Sequence, residues 1–527
     1  MTGAPRQIAA DVGMSPRDGA GACARLFRGL TLTVALVLMA TLWSVAAVAD
    51  HSPGHGKAKG GMKKGQCDKT LDLDSEIRNA RIVAVYDTGI CSNTDLDLYR
   101  SDDRLLAVVT GGEEAVFTVV DVTDPDDPTL QRQFLWPNSG FRGTSADKVQ
   151  AFHPHGGSAD TLFALGVSRE SKQGLCGVKI ARPEGFILRT IDGLDADAGD
   201  SWCNVNGLFV ENDGDGDGAF LYVAASETFD LRVFDIRDIA RSAATEVGRY
   251  RRTDVTLGRD SNGNARGRND PDGPFDDNLV NDVFVADGAS ASGQGSDSFV
   301  PTVYVAYMSA GLDIFPASLV RDDGAGPGAP PLSAEQDTFN GDGSVMNLTP
   351  GPHASGAPFI VYQAVPDAAG ATVFLRDEAS FAPGDMAVQA WDIVGGESLL
   401  DGLAAGVDIP AFPPHDLVFG VLNAEPASPL ENRLTVGWYH LGLEGWDFEA
   451  SGFDRVDAEP RTAAVFHQAR TGSPEDPRDG AWAVEVARIG ELNYGFAVDH
   501  EFGLIVACLG DDDGKLDACP PPLPASP

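Results

Sequence analysis

"AVFTVVDVTDPDDPTL", residues 115–130, decides the fold class. Val116 to Val120 are β-branched or aromatic without a break, which suits a pleated strand buried on both faces. Asp121 ends the run, and the Pro125 and Pro128 that follow allow neither helix nor central strand. Working outward, "RLLAVVTGGEEAVFTVVDVTDPDDPTLQRQF" (104–134) reads as strand, short turn, strand, turn, strand. Similar runs recur along the chain. Their strands end in an acid followed by an apolar residue: "FTVVDV" (117–122), "LRVFDI" (231–236), "GLDIF" (311–315), "VQAWDI" (388–393) and "LEGWDF" (443–448).

These units repeat roughly every 55–80 residues, with long loops grown between some of the strands. A four-stranded unit cannot bury both its faces alone. Radial stacking buries both, so the pattern predicts an all-β fold, a single β-propeller of about seven four-stranded blades. Six or eight blades are compatible with the same spacing. Unit one centres on Asp121 and unit two on "LCGVKIARPEGFILRTI" (175–191). Units three to six centre on Asp235, Asp313, Asp392 and Asp447, and the seventh lies at 480–510. The early strand "ARIVAVYDTG" (80–89) is placed to complete the last blade, which would hide the open sheet edges.

The strand 115–122 followed by D-P-x-x-P resembles the LVIVD repeat. "DEASFAPGDMAVQAWDI" (377–393) and "PPHDLVFGVLNAEPASPLENRLTVGWYHLGLEGWDF" (413–448) are similar to later blades of the same propellers. The D-P-x-x-P turn is absent or replaced in units two, four, six and seven. The resemblance covers most of residues 80–510 and implies a bacterial secreted or cell-surface propeller. It implies no catalytic set.

The termini and cysteines agree with export. Arg25 and Arg28 precede the apolar run 30–49, which ends Ala47-Val48-Ala49. That order is a signal peptide over 1–49, with the mature chain starting at Asp50 and spanning no membrane. The alternative is an uncleaved anchor, since about twenty apolar residues can cross a bilayer. Residues 50–79 begin with a Gly-, Lys- and His-rich stretch and read as a flexible linker. Residues 80–510 are the propeller, and 511–527 form a Pro-rich tail. Removing Cys23 with the leader leaves six cysteines, in the local couples Cys67/Cys91, Cys176/Cys203 and Cys508/Cys519. An oxidising compartment turns such couples into disulfides.

The formal net charge of -39 repels phosphates and excludes a nucleic-acid partner. In "NDGDGDGAFLYV" (212–223), Asp213, Asp215 and Asp217 alternate with glycines. This matches the first half of a calcium loop, with the Ala219 carbonyl as a further oxygen. A solvated acidic hairpin is the other reading. His153, His353, His415 and His500 begin or precede strands, positions that can line a central channel. Each can instead tie to a neighbouring blade's backbone. The chain holds no G-x-S-x-G, H-E-x-x-H or phosphate loop. The reading is therefore an extracellular scaffold for a protein or glycan, stabilised by calcium. The alternatives are a lactonase- or esterase-like metal-dependent hydrolase with its site in the channel, and a redox or quinone-dependent enzyme.

Overall fold

The computed structural model describes residues 71–523, leaving out several loops. Between 251 and 480 it describes strands and one short helix, not the loops that join them. Blade 1 comprises Asn93–Ser101, Arg104–Gly111, Val116–Asp121 and Thr129–Phe134. Blade 2 comprises Thr144–Phe152, Leu162–Arg169, Gly177–Ala181 and Ile187–Asp192. Blade 3 comprises Val205–Asn212, Gly218–Ala225, Asp230–Asp235 and Thr245–Tyr250. Blade 4 comprises Val280–Ala286, Thr302–Tyr307, Gly311–Pro316 and Asp337–Phe339. Blade 5 comprises Ser344–Gly351, Phe359–Val365, Thr372–Asp377 and Val388–Asp392. Blade 6 starts with Pro414–Phe419, Arg433–Trp438, Gly442–Asp447 and Thr462–Gln468. Blade 7 contains Ala481–Ile489, Leu492–Asp499 and Gly503–Gly510, and takes its fourth strand, Arg81–Asp87, from the start of the chain.

All pairs within blades are antiparallel. The seven first strands touch one another in order, and the last, Ala481–Ile489, touches the first, Asn93–Ser101. The ring is closed: the protein is a seven-bladed β-propeller. First strands line the axis. Each begins on what is here termed the upper face and ends on the lower face.

The acid-apolar pairs have a structural reason. Asp121 Oδ1 accepts the Thr123 N–H at 3.0 Å, and Asp235 Oδ1 accepts the Arg237 N–H at 3.0 Å. Each aspartate thus turns the chain out of the third strand. The next residue, Val122 or Ile236, is fully buried and donates its N–H back to the carbonyl of Leu105 or Ala219. The repeat encodes a turn and a core plug. Blade 5 departs from the sequence reading centred on Asp392. There "VQAWD" is the fourth strand, and the third is Thr372–Asp377.

Side chains alternate between the two neighbours of each blade. In blade 2, Val178 and Ile180 pack with Leu221 and Val223 of blade 3. Phe163 and Leu165 pack with Val108 and Phe117 of blade 1. Each apolar side chain so buried contributes roughly 1.5–3 kcal/mol. The linker expectation for 50–79 is corrected at its end. Leu71–Arg78 is a strand on the outer edge of blade 6, pairing with Thr462–Gln468. The alternation Leu71, Leu73 is a strand pattern, and the open edge offers it backbone partners.

Candidate binding face at the channel mouth

Each first strand breaks register near its start. The break falls at Thr94, Asp147, Asn206, Asn281, His415 and Trp482, and over Met346–Asn347 in blade 5. A β-bulge adds one residue to its strand and re-aims the side chain. The register break recurs in all seven first strands, at the upper end of each. Thr94, Asp147, Asn206, Asn281 and Trp482 are half-buried there.

Side chains stitch this ring around its circumference. The Thr94 hydroxyl donates to the Ala146 carbonyl of the next blade at 2.6 Å. Asn206 Nδ2 donates to Asn281 Oδ1 at 3.2 Å. Between blades 7 and 1, the Asn93 amide N–H donates to the His500 carbonyl at 2.7 Å, and Asn93 Nδ2 donates to the carbonyls of Asp499 and His500. Trp482 lies against His500, with ring centroids 4.7 Å apart.

Below the mouth, first strands face a backbone problem. Each has one ladder edge with no strand beside it, and its N–H groups need acceptors. For the first strands of blades 2 and 3 the preceding blade supplies them. Asp95 Oδ2 accepts the Val149 N–H at 2.7 Å, and Asp97 Oδ2 accepts the Ala151 N–H at 2.5 Å. Gln150 Oε1 accepts the Val210 N–H at 2.6 Å. Lys148 lies 3.7 Å from Asp95. Burial pushes Asp95 above the usual carboxylate range, against the pull of Lys148 and the Val149 N–H. Asp97 is pushed up to about 7, first by burial and further by the charge of Asp95, while the Ala151 N–H pulls it down.

The structure places the expected channel histidines on two faces of the ring. His153 follows the first strand of blade 2 and is exposed at the lower face, where its carbonyl accepts the Gly218 N–H. His500 turns between the second and third strands of blade 7 at the upper face. His415 sits at the bulge of blade 6, also at the upper end. His353 lies outside the described residues. His153 is therefore separated from His415 and His500 by the length of a strand, because it ends a first strand while His415 starts one.

The Asp-rich loop joins the first two strands of blade 3 and so lies at the lower face, away from Trp482. Its backbone closes it. The Asp213 N–H donates to the Asp217 carbonyl, and the Gly216 N–H donates to the Asp213 carbonyl. Asp213 Oδ2 lies 2.6 Å from His155 Nδ1, and Oδ1 accepts the Asp217 N–H at 3.1 Å. Ala219, expected as a calcium ligand, is buried, and its carbonyl accepts the Ile236 N–H at 3.0 Å. It faces the sheet, not the loop. Asp215 lies outside the described residues. The Asp213 carboxylate is thus engaged by His155 and the Asp217 N–H, and the Ala219 carbonyl by the Ile236 N–H. Among the described residues no group of three or more His, Cys, Asp or Glu is placed to hold a metal.

Cys508 and Cys519 are disulfide-bonded, and Cys176 is in a disulfide. Cys67, Cys91 and Cys203 lie outside the described residues, as do the apolar run 30–49 and its cleavage site. Among the described residues no helix is long and apolar enough to cross a membrane.

The bulge ring was missed by the sequence reading, yet it has a signal. "NTDL", "VNGL", "VNDV" and "PHDL" (93–96, 205–208, 280–283 and 414–417) all carry a bulged residue, then Asp or Gly, then an apolar residue. Blade 3 needs Gly207 at that second place. A Cβ there would stand 2.7 Å from Asp282 Cα of blade 4.

No family model and no curated protein matches the chain. Among solved structures, the β-propeller domain of Myceliophteria thermophila Cps50 (Swd1) is similar, at 13% identity and a TM-score of 0.42. The match covers 83% of this chain and 99% of that one. So loose a likeness carries no argument, and the blade count rests on the strand pairing.

Proposed function

We propose that the chain is an exported scaffold that binds an extracellular protein or glycan on its upper face. The bulge ring carries this reading: it gathers Thr94, Asp147, Asn206, Asn281 and Trp482, all half-buried, at one end of the first strands. Trp482 offers an aromatic face of the kind that glycans and protein partners use as an anchor. Export is supported by the leader pattern, the Cys508–Cys519 disulfide and the LVIVD resemblance, which is itself part of the proposal. A glycan microarray and a cell-surface cross-linking assay test it. Trp482→Ala and Asn281→Ala should abolish binding that Asp213→Ala, at the lower face, leaves unchanged. Equal binding by all three variants overturns the placement.

A calcium ion on Asp213, Asp215 and Asp217 belongs to the same proposal as a stabiliser of the blade 3 hairpin. It requires Asp213 to leave His155. Melting temperature should then rise with millimolar calcium, fall with chelator, and ignore both in Asp215→Ala. A wild-type melting curve blind to calcium removes the ion from the reading.

A further inference from the structure

The ring closes where the two ends of the propeller chain meet. Arg81–Asp87 pairs with Gly503–Gly510, and Arg81 stands opposite Cys508 in that register. Cys508 is fully buried and is bonded to Cys519 in the C-terminal tail, 11 residues on. Between them the chain folds back through a tight turn. The Asp511 N–H donates to the Lys515 carbonyl at 3.1 Å, and Asp511 Oδ1 accepts the Lys515 N–H at 2.8 Å.

That folded loop presents carbonyls to one side chain. Arg81 Nη1 reaches the carbonyls of Leu516 at 3.4 Å, Cys519 at 3.3 Å and Pro520 at 3.1 Å. One residue further along the strand, the Ile82 carbonyl accepts the Leu523 N–H at 3.2 Å. Leu516 and Cys519 pack in the core that holds Val83 and Val506. A guanidinium gains from three carbonyls only if they are already gathered. The disulfide gathers them, since it removes most of the loop's freedom before Arg81 arrives.

We propose that Cys508–Cys519 and Arg81 form a single latch, so that closure of the propeller is under redox control. A dithiol reductant would pass two electrons and two protons to the disulfide. Two cysteine thiols form, and the reductant becomes its own disulfide. The carbonyl cage then loosens, Arg81 loses its acceptors, and Arg81–Asp87 can leave the edge of blade 7. Such an opening would expose the Gly503–Gly510 edge to another strand.

Hydrogen exchange by mass spectrometry on the full chain tests this. The double variant Cys508→Ser/Cys519→Ser opens this loop alone and leaves the disulfide of Cys176 in place. Arg81→Met removes the cation and keeps the disulfide and most of the stem packing. Each should speed exchange of the amides of residues 82–87 by roughly 10- to 100-fold, the range expected for lost hydrogen bonds to a charged group. The amides of 218–225 in blade 3 should not change. Combining Arg81→Met with the serine pair should add little to either alone, because one latch cannot be opened twice. Exchange of 82–87 at the wild-type rate in the serine pair overturns the proposal. So does multiplication of the two effects, which would make them independent staples, or an equal rise in blade 3, which would mean general loosening.

Discussion

Asp97 should make the protein less stable as pH rises through neutrality. Its carboxylate is held between blades 1 and 2, with the Ala151 N–H on Oδ2 at 2.5 Å and Asp95 as a neighbour. Its ionisation lies at about 7 in the folded chain, against about 3.9 in an unfolded one. The folded state therefore holds this proton more tightly. The resulting stabilisation is complete below about pH 4 and disappears as pH climbs through about 7. The rise from about 3.9 to about 7, at about 1.4 kcal/mol per tenfold change in proton affinity, sets an upper bound of about 4 kcal/mol. Asp95 shares the same buried environment and divides the proton affinity with it, so the loss expected from Asp97 is on the order of 2–4 kcal/mol. Asp97→Asn keeps an oxygen for the Ala151 N–H and never ionises. Urea unfolding of wild type and variant at pH 4.5, 5.5, 6.5 and 7.5, followed by tryptophan fluorescence, reads the effect of the Asp95–Asp97 pair, because the carboxylates outside that pair cancel in the difference. The wild type should fall behind the variant by that amount between the lowest and highest pH. A difference independent of pH refutes the reasoning. A wild type that gains on the variant as pH rises would mean that the Ala151 N–H, not burial, governs Asp97.

Lys179 is fully buried between blades 1 and 2, and burial lowers it to about 8. A base depressed in the folded state destabilises it most below that value, and stability recovers as pH rises from about 8 towards the unfolded value near 10.4. Lys179→Met should raise the urea midpoint at pH 7 by more than it does at pH 10. Asp121→Ala removes the acceptor of the Thr123 N–H and should cost about 1 kcal/mol in chemical denaturation, with ligand binding on the upper face unaffected. Gly207→Ala forces a methyl against Asp282 Cα of blade 4. It should cost roughly 1–3 kcal/mol in the same assay, as overpacking does. A cost near zero would show that blades 3 and 4 can part at that point.

Strand type, the repeat and a count of about seven blades were legible in the sequence because they rest on local rules. A two-residue period and an acid that turns the chain act within one blade, so residues such as Asp121 and Val122 announce themselves. Blade 5 was set one strand off because "VQAWD" meets those local rules in a fourth strand as well as in a third. The candidate site depended on relations between distant residues. His153 and His500 look alike in sequence and stand on opposite faces, because one ends a first strand and the other ends a second. His155 meets Asp213 across 58 residues, and Arg81 meets the carbonyl of Pro520 across 439. The seven bulges share a short pattern, but only closure of the ring brings them to one channel mouth. Closure also leaves the inner edge of every first strand without a neighbouring strand, and that is why Asp95, Asp97 and Gln150 turn their side chains to the next blade's amides.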